Sequence, residues 1–529
     1  MPFDAIKRRL TQTIDTHATV NPWIVAIAVM SATFMEVLDT TVVNVCLPHI
    51  AGNLSVSTDE ATWALTSYLV ANAIILPMTG WLANQFGRKR LLMLSVLGFT
   101  IASFCCGFAP NLPFLIVCRI VQGATGGGLQ PLSQAILMEV FPPNQRGKAM
   151  AFWALGIVVA PMLGPVLGGW ITDNYSWRWI FYINIPIGLF ALVMTQLYVF
   201  DPPYIGRKSG GVDYWGMGLL VLGIGSLQIL LDKGQEEDWF ESHFIVVLTV
   251  LAIVGILGLI WRELKTDHPI IDLHVFRNRT YATGVFLMTI LGFVLYGSTV
   301  LLPLLMQTLM GYPALQAGIA TMPRGLASFI AMPLVGMMIA KVDPRKMLVS
   351  GLLIAAYSLY LFSHLNLNAG FWDFAVPMVI QGGSLGLMFI PLTTITNDPI
   401  PKEEMGNATS IFNLMRNIGA SIGIAITNTL LERHSQIHTN SLGAHITAYN
   451  AAAVNMMDNM KHSVMMNTGD AAFAAKQSTA MMFALVQQQA TMMGFNDDFR
   501  FMMYMFLAMV PLVLLMKRPT KQGGEVAVH

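Results

Sequence analysis

Charged residues are scarce in this chain. Of its 529 residues only 11% are Asp, Glu, Lys or Arg, whereas 55% are hydrophobic, and the mean hydropathy is +0.60. A soluble globular protein carries more charge on its surface than this composition supplies. The sequence therefore predicts an integral membrane protein, in which the net charge of +1 says nothing about nucleic acid.

The chain also has few cysteines and no nucleotide-binding loop. Its four cysteines all lie in or beside apolar segments, which indicates small buried hydrophobic residues and not a disulfide framework. The sequence contains no phosphate-binding loop of the GxxxxGK[ST] type, which argues against an ATP-driven pump. We therefore expect no enzyme activity and no cofactor, with an ion gradient, most simply protons, as the energy source.

Apolar runs long enough to cross a bilayer occur fourteen times. Spans of this length must be helical, because a bilayer offers no partners for open strand edges. The predicted spans begin near Trp23 and continue at 61–83, 91–109, 113–138, 147–170, 179–200, 214–231, 243–261, 281–303, 314–339, 347–364, 373–396, 405–431 and 499–516.

Most of the 30 Lys and Arg residues fall in alternate loops, which predicts that both termini are cytoplasmic. The expected divisions are a cytoplasmic N-terminus (1–22), a six-helix bundle (23–200), two inserted helices with linkers (201–280), a second six-helix bundle (281–516) and a cytoplasmic tail (517–529). The second bundle includes an outer loop at 432–496. Two similar halves are indicated because Gln122-Gly123, Gly126–Gly128 and Pro131 are echoed by Gln381-Gly382, Gly383, Gly386 and Pro391.

The stretch from Gly156 to Trp170, GIVVAPMLGPVLGGW, carries small residues every four positions in an apolar segment. That spacing places them on one helix face, where a second backbone can approach closely. Two prolines in the same stretch each remove a backbone donor and favour a bend. The stretch is consistent with a gate or with an ordinary helix-packing groove.

Two carboxylates lie inside the first span. Glu36, Thr40 and Asn44 share a helix face with Thr33, and Asp39 lies beside them. Charged carboxylates at this depth are costly, which favours a role in exchanging protons. Asp39 is therefore predicted to carry a coupling proton, and Glu36 to share it or to recognise substrate. The alternative is a carboxylate held in a structural ion pair.

Polar residues in three other spans complete the candidate site. Arg119 is predicted to be the counter-charge of a nearby carboxylate, because arginine keeps its proton at ordinary pH; the alternative is an arginine that extends to the membrane surface. Gln122 and Gln130 continue its face, and Asn413 and Arg416 are expected to line the other half of a cavity, with Arg324 a weaker candidate.

Five motifs in order resemble those of the major facilitator superfamily, specifically its fourteen-helix drug:proton antiporters of the EmrB type. They are LDTTVVNVCLP (Leu38–Pro48), GWLANQFGRKR (Gly80–Arg90), Arg119–Gly123, GPVLGG (Gly164–Gly169) and WRWIFYINIPIG (Trp177–Gly188). The resemblance implies the major facilitator fold and export of hydrophobic drugs across the bacterial inner membrane. It implies an antiporter motif with a gating role, formed by Gly156, Pro161, Gly164, Pro165, Gly168 and Gly169.

The same resemblance implies a cytoplasmic latch between the halves at the loop Gly80, Asn84, Gly87, Arg88 and Arg90. The family usually has Asp where this chain has Asn84, so the latch is expected to rest on hydrogen bonds of Asn84 and on the arginines. The basic cluster alternatively serves only as a membrane anchor.

The segment 432–496 is rich in Ala, Met and Gln, which predicts surface helices over the outer mouth. In EmrB-type proteins such a loop implies docking of a periplasmic adaptor (EmrA-type) that leads to an outer-membrane channel (TolC-type). Its histidines are irregularly spaced and predict no metal site.

Other functions share parts of this pattern. An exporter of one lipid, siderophore or metabolite would have the same motifs, and an uptake symporter the same fold without the glycine-proline stretch. A scaffold or receptor would not need charges within the membrane.

Overall fold

The computed structural model describes residues 21–142, 145–201, 213–266 and 269–517, and within these residues it is helical without strands. The basic residues Lys7–Arg9, Arg207, Lys208, Arg518 and Lys521, on which the predicted orientation partly rests, lie outside these ranges. The α-helices are α1 (Pro22–Leu54), α2 (Thr58–Phe86), α3 (Arg88–Gly107), α4 (Leu112–Gly126), α5 (Leu129–Val140), α6 (Arg146–Asn174), α7 (Trp179–Tyr182), α8 (Asn184–Tyr198), α9 (Tyr214–Lys233), α10 (His243–Glu263), α11 (Arg279–Thr308), α12 (Ala314–Met338), α13 (Pro344–Phe362), α14 (Phe371–Asn397), α15 (Met405–Gly443), α16 (Ala451–Thr468) and α17 (Ala471–Val513).

Every predicted span coincides with one of these helices or with a consecutive pair. Twelve spans are long and apolar enough to cross a membrane among the residues described, with α4 and α5 forming one of them and α7 and α8 another. The other two predicted spans, 405–431 and 499–516, correspond to the first part of α15 and the last part of α17, which ends at Val513; these helices are 39 and 43 residues long and carry polar extensions.

The two halves repeat the same helix pairings. In the first half α1 packs on α6, α2 on α4 and α3 on α8; in the second α11 packs on α15, α12 on α14 and α13 on α17. The glycine repeat read from the sequence has a structural counterpart. A side chain at Gly123 would collide with the carbonyl of Tyr68, and one at Gly382 with the carbonyl of Arg324, so both positions allow close helix contact.

The halves meet mainly along two helix pairs, α6 with α12 and α2 with α15, and α5 also packs on α15 and α6 on α14. The inserted helices α9 and α10 cross each other closely at Gly223 and Gly255, and α9 packs on both α2 and α15. The inserted pair therefore lies beside one junction of the halves and leaves their helix pairings intact.

The bundle has a basic end and an outer end. We call the end that contains Arg88, Arg146, Arg345 and Lys402 the basic end, and the opposite end, which carries α16, the outer end. The predicted outer loop is almost entirely helical, because α15 continues to Gly443 and α17 begins at Ala471, capped by Asp470. These extensions are joined by His434 with Asp498 (3.2 Å) and His438 with Asp497 (2.7 Å).

Candidate functional site

Asp39 and Arg119 form an ion pair inside the first half. Arg119 Nη1 lies 2.6 Å from Asp39 Oδ2, and both side chains are completely buried. Gln122 Nε2 and Asn184 Nδ2 both donate to Asp39 Oδ1, at 3.0 and 2.7 Å. Asp39 therefore accepts bonds from three side chains, and protonating it in this arrangement would leave a buried guanidinium without its counter-charge.

The first half holds Arg119 firmly, and the side chain does not extend to the membrane surface. Its Nε donates to the carbonyl of Ala64 (3.0 Å), and its guanidinium lies 4.2 Å from the centre of the Tyr68 ring. These contacts come from α2 and fix the charge between α1, α2 and α4. The Nη2 atom has no hydrogen-bond partner among the described residues.

Glu36 lies one turn away on α1 and has a different set of partners. Gln130 Nε2 donates to it at 2.6 Å, Asn72 Nδ2 at 3.1 Å and the Tyr68 hydroxyl at 3.4 Å. The residue is 3% exposed. All three donors are neutral, so no cation donates directly to Glu36.

A chain of polar side chains connects Glu36 to the second half. Gln130, which donates to Glu36, accepts a hydrogen bond from Nη2 of Arg416 on α15. One turn towards the basic end, Asn413 donates to Gln134 Oε1 at 2.6 Å. The structure thus brings Gln130, Asn413 and Arg416 together, across the junction between the halves.

Direct hydrogen bonds between the halves are confined to one side. Among the described residues, four connect the segment up to Asp201 with the segment from Arg279, and all four end between Lys402 and Arg416. At the outer end of α1, Asn44 is exposed. The halves are therefore closed at the basic end, and the hydrogen bonds between them do not extend to the level of Asn44.

The face of α1 that carries Thr33, Glu36, Thr40 and Asn44 is mostly enclosed by protein. Thr33 is buried and donates to Ser133 at 2.8 Å, while Asp39 and Glu36 are enclosed by their partners. Thr40 is half-buried and bonds to its own helix. Asn44 is the one exposed residue on this face, and it lies further along α1 than Glu36 and Asp39.

The small residues of α6 pack against α1. A side chain at Gly156 would collide with Met30, one at Gly164 with Thr41, and one at Gly168 would lie 3.0 Å from the carbonyl of Val42. The helix is continuous through this stretch, and Pro161 is half-buried. Gly169 faces open space, and the side chain of Pro165 lies outside the described residues.

The motif Gly80–Arg90, which spans the end of α2 and the start of α3, contacts the second half without Asn84. A side chain at Gly80 would approach the backbone of Asn407 on α15 to 2.7 Å. Arg88 pairs with Glu139 and donates to the carbonyl of Lys402 (3.3 Å). Asn84 and Arg90 are exposed, and within the described part of the chain Asn84 makes no hydrogen bond, so the expected contribution of Asn84 is wrong for this arrangement.

Gly87, between these residues, has a φ of +85° and lies against the carboxylate of Asp201, which accepts a bond from the Lys89 amide at 2.8 Å. A left-handed backbone conformation favours glycine. Gly87 adopts it at the point where α2 ends and α3 begins.

Two amide partners of the carboxylates were missed from the sequence, and so was the Tyr68 hydroxyl that donates to Glu36. Asn72 contacts Glu36, and Asn184 contacts Asp39 and also Ser103. Asn72 and Asn184 lie in otherwise apolar spans, and this isolation already indicated a buried hydrogen-bonding role. Asn184 also lies within the motif WRWIFYINIPIG. Neither position could be matched to a carboxylate without knowing which helices pack together.

Two pseudo-symmetric helix bundles with a buried charge cluster at their junction define a class of protein, the membrane transporters that work by moving one half against the other. The family model "Major Facilitator Superfamily" matches residues 29–424. The chain belongs to the major facilitator superfamily.

Relatives and solved structures agree with this assignment. The chain is 38% identical over 498 residues to the multidrug export protein EmrB of Haemophilus influenzae, covering 94% of this chain and 96% of the relative. It is also 38% identical to the fatty acid resistance protein FarB of Neisseria gonorrhoeae, covering 93% and 96%. The proton:xylose symporter XylE has the same fold, with a TM-score of 0.56 at 18% identity, covering 79% of this chain and 90% of that one.

Proposed function

We propose that the protein is a proton-coupled antiporter that exports hydrophobic toxic compounds across the bacterial inner membrane. The near full-length similarity to multidrug export proteins supports this function. The observation that links the carboxylates of α1 to the movement of the halves is the connection from Glu36 through Gln130 to Arg416, because it places a titratable carboxylate at the closed junction of the two halves. A change in the charge of Glu36 therefore alters a contact that closes the basic end.

In this mechanism the basic end is cytoplasmic, as are both termini, and the halves rock about the buried cluster. The structure then corresponds to an outward-facing arrangement. Asp39 carries the coupling proton, and its three donors must separate before it is protonated. Glu36 shares the proton or contacts substrate, with Gln122 and Asn44 nearby on the substrate path. Energy comes from the proton gradient without a cofactor.

Everted membrane vesicles test the coupling. Respiration acidifies their lumen, and a substrate added outside should release protons from the lumen, which a pH-sensitive dye reports as alkalinisation. Asp39→Asn should abolish this response, and Glu36→Gln should reduce it. Asp59→Asn, at an exposed position in the first turn of α2, is the matched control. Full alkalinisation by folded Asp39→Asn would refute its role as proton carrier.

We further propose that α16 and the extensions of α15 and α17 dock a periplasmic adaptor that leads to an outer-membrane channel. The described part of α16 buries little more than Val464, so most of its surface is exposed at the outer end. Replacing 446–469 by a short flexible linker should spare drug binding and abolish co-purification of the adaptor. Undiminished capture of the adaptor would contradict docking at these helices.

A narrower substrate range is the second candidate, because one relative is named for fatty acid resistance. A panel of cationic, neutral and anionic compounds in the vesicle assay separates the two, since a broad exporter responds to several chemical classes.

A further inference from the structure

Tyr68 on α2 contacts both parts of the buried charge cluster. Its ring centre lies 4.2 Å from the guanidinium carbon of Arg119, and its hydroxyl donates to Glu36 Oε1 at 3.4 Å. Arg119 in turn pairs with Asp39. Tyr68 is 1% exposed and makes both contacts away from solvent. One side chain thus connects the ion pair of the first half to the second carboxylate of α1.

The glycines of α4 allow α2 to come close enough for these contacts. A Cβ at Gly123 would lie 2.3 Å from the Tyr68 carbonyl oxygen, and one at Gly126 would lie 3.2 Å from the Tyr68 hydroxyl. One turn further along α2, a Cβ at Gly127 would lie 2.6 Å from the Asn72 carbonyl oxygen. The repeated glycines therefore position the two donors that α2 presents to α1.

The ring of Tyr68 acts on Arg119. A guanidinium is attracted to the face of an aromatic ring, and the attraction is stronger where water is excluded. Arg119 is completely buried, and the ring helps to keep it where Nη1 reaches Asp39 Oδ2 at 2.6 Å. Phenylalanine would serve this purpose nearly as well, because the ring alone takes part.

The hydroxyl of Tyr68 acts on Glu36. A buried tyrosine hydroxyl normally has a hydrogen-bond partner, and within the described part of the chain this hydroxyl donates to the Glu36 carboxylate. A donor to a carboxylate stabilises its ionised form relative to its protonated form. The hydroxyl is therefore the part of the side chain that affects how readily Glu36 takes up a proton.

The charged groups that face Glu36 come from three helices. They are Asp39 on α1, Arg416 on α15 and, in contact with the Tyr68 ring, Arg119 on α4. The described charged residues of α2, α5 and α6, which also pack on α1, lie near the ends of these helices: Asp59, Glu60, Glu139, Arg146, Lys148 and Asp173. Helix α8, NIPIGLFALVMTQLY, has none. A neutral hydroxyl thus changes the proton affinity of Glu36 without adding a further charge.

We propose that Tyr68 is a positioning residue of the proton-coupling site, which favours ionised Glu36 through its hydroxyl and holds Arg119 on Asp39 through its ring. The assignment rests on the proposed proton coupling and adds a residue to it. Helix α2 also forms the contact between Gly80 and Asn407 at the junction of the halves. A movement of the halves therefore reaches both carboxylates through the helix that carries Tyr68.

Infrared titration tests the role of the hydroxyl without requiring transport. The carboxyl band of Glu36 is identified in the solubilised protein by its loss in Glu36→Gln, and its intensity is followed against pH. Tyr68→Phe keeps the ring and removes one donor to the ionised form. The midpoint of the Glu36 titration should therefore move to higher pH by roughly 0.5 to 1 pH unit.

Tyr281→Phe is the matched control, because Tyr281 is also buried and its hydroxyl donates to the Ala408 carbonyl at 2.8 Å, within the second half. This variant should leave the Glu36 midpoint unchanged. An unshifted midpoint in folded Tyr68→Phe would overturn the proposal, and so would an equal shift in Tyr281→Phe.

The vesicle assay tests the role of the ring. Tyr68→Leu should lower substrate-evoked proton release several-fold below that of Tyr68→Phe, because only leucine removes the ring from Arg119. In a Glu36→Gln background, Tyr68→Phe should cause no further loss, since its hydroxyl acts through Glu36. Equal release by the leucine and phenylalanine variants would refute the role of the ring.

The two measurements separate this assignment from proton-coupled export itself. Substrate-evoked proton release together with an unshifted Glu36 titration in Tyr68→Phe leaves export standing and refutes the role of Tyr68. A shifted titration without proton release for any compound supports the contact of Tyr68 with Glu36 and refutes proton-coupled export.

Discussion

Gly80 is the position at which a single added methyl group should change the conformation of the whole protein. A Cβ at this position would lie 2.7 Å from both Cα and N of Asn407, and 2.9 Å from the carbonyl carbon of Gly406. Ordinary contacts of a Cβ begin near about 3.4 Å, so α2 and α15 must separate by roughly 0.7 Å, and both obstacles are backbone atoms. Gly80→Ala therefore opposes closure of the basic end.

The size of the effect follows from the cost of overpacking. Inserting one methyl group into a tight contact costs about 1 to 3 kcal/mol. Because only the closed arrangement makes this contact, the ratio of closed to open molecules should fall about 5- to 150-fold. The gain in helix propensity from glycine to alanine, about 1 kcal/mol, favours both arrangements equally.

Pulsed electron resonance distances measure this shift. Spin labels at Gln85 and Glu403, after replacement of the four native cysteines, report the separation of the halves at the basic end. Gly80→Ala should transfer population from the short to the long distance and slow transport. Gly383→Ala is the matched control, because a Cβ there meets nothing within 4 Å. An unchanged distance distribution in Gly80→Ala would show that this contact does not close the bundle.

Two further predictions concern the buried charges and the basic loop. Arg119→Leu should lower the free energy of unfolding by about 3 to 5 kcal/mol, because it leaves Asp39 buried without its counter-charge; thermal unfolding in detergent measures this, and the double variant with Asp39→Leu should recover part of the loss. Asn84→Ala should change drug-evoked proton release by less than about twofold, since its side chain is exposed and unbonded within the described residues. Arg88→Ala should slow the same response, because it removes the ion pair with Glu139 and the hydrogen bond to the Lys402 carbonyl. Equal effects of Asn84→Ala and Arg88→Ala on proton release would contradict the assignment of the contact to Arg88.

The periodic and compositional features of the sequence were sufficient for the fold. Helix bounds follow from hydropathy because lipid forces backbone groups to bond within their own segment, which is why every predicted span coincides with a helix or a helix pair. The helical outer segment was also predictable, since Ala, Met and Gln favour helix and Asp470 caps α17. The glycine repeat was read correctly as a repeated structural element, because close helix packing requires small residues at fixed spacing.

The sequence by itself determined that charges lie within the membrane, and the tertiary structure decided what each of them contacts. Asp39 and Arg119 are 80 positions apart, Gln130 and Arg416 are 286 apart, and no local pattern encodes which helices become neighbours. The same reasoning explains Asn84, whose motif position suggested a latch, whereas packing gave the contact to Gly80 and Arg88. Arg416 Nε and Nη1 have no partner among the described residues, and this too is a property of the assembled bundle, because a hydrogen bond requires a partner in space and not in sequence.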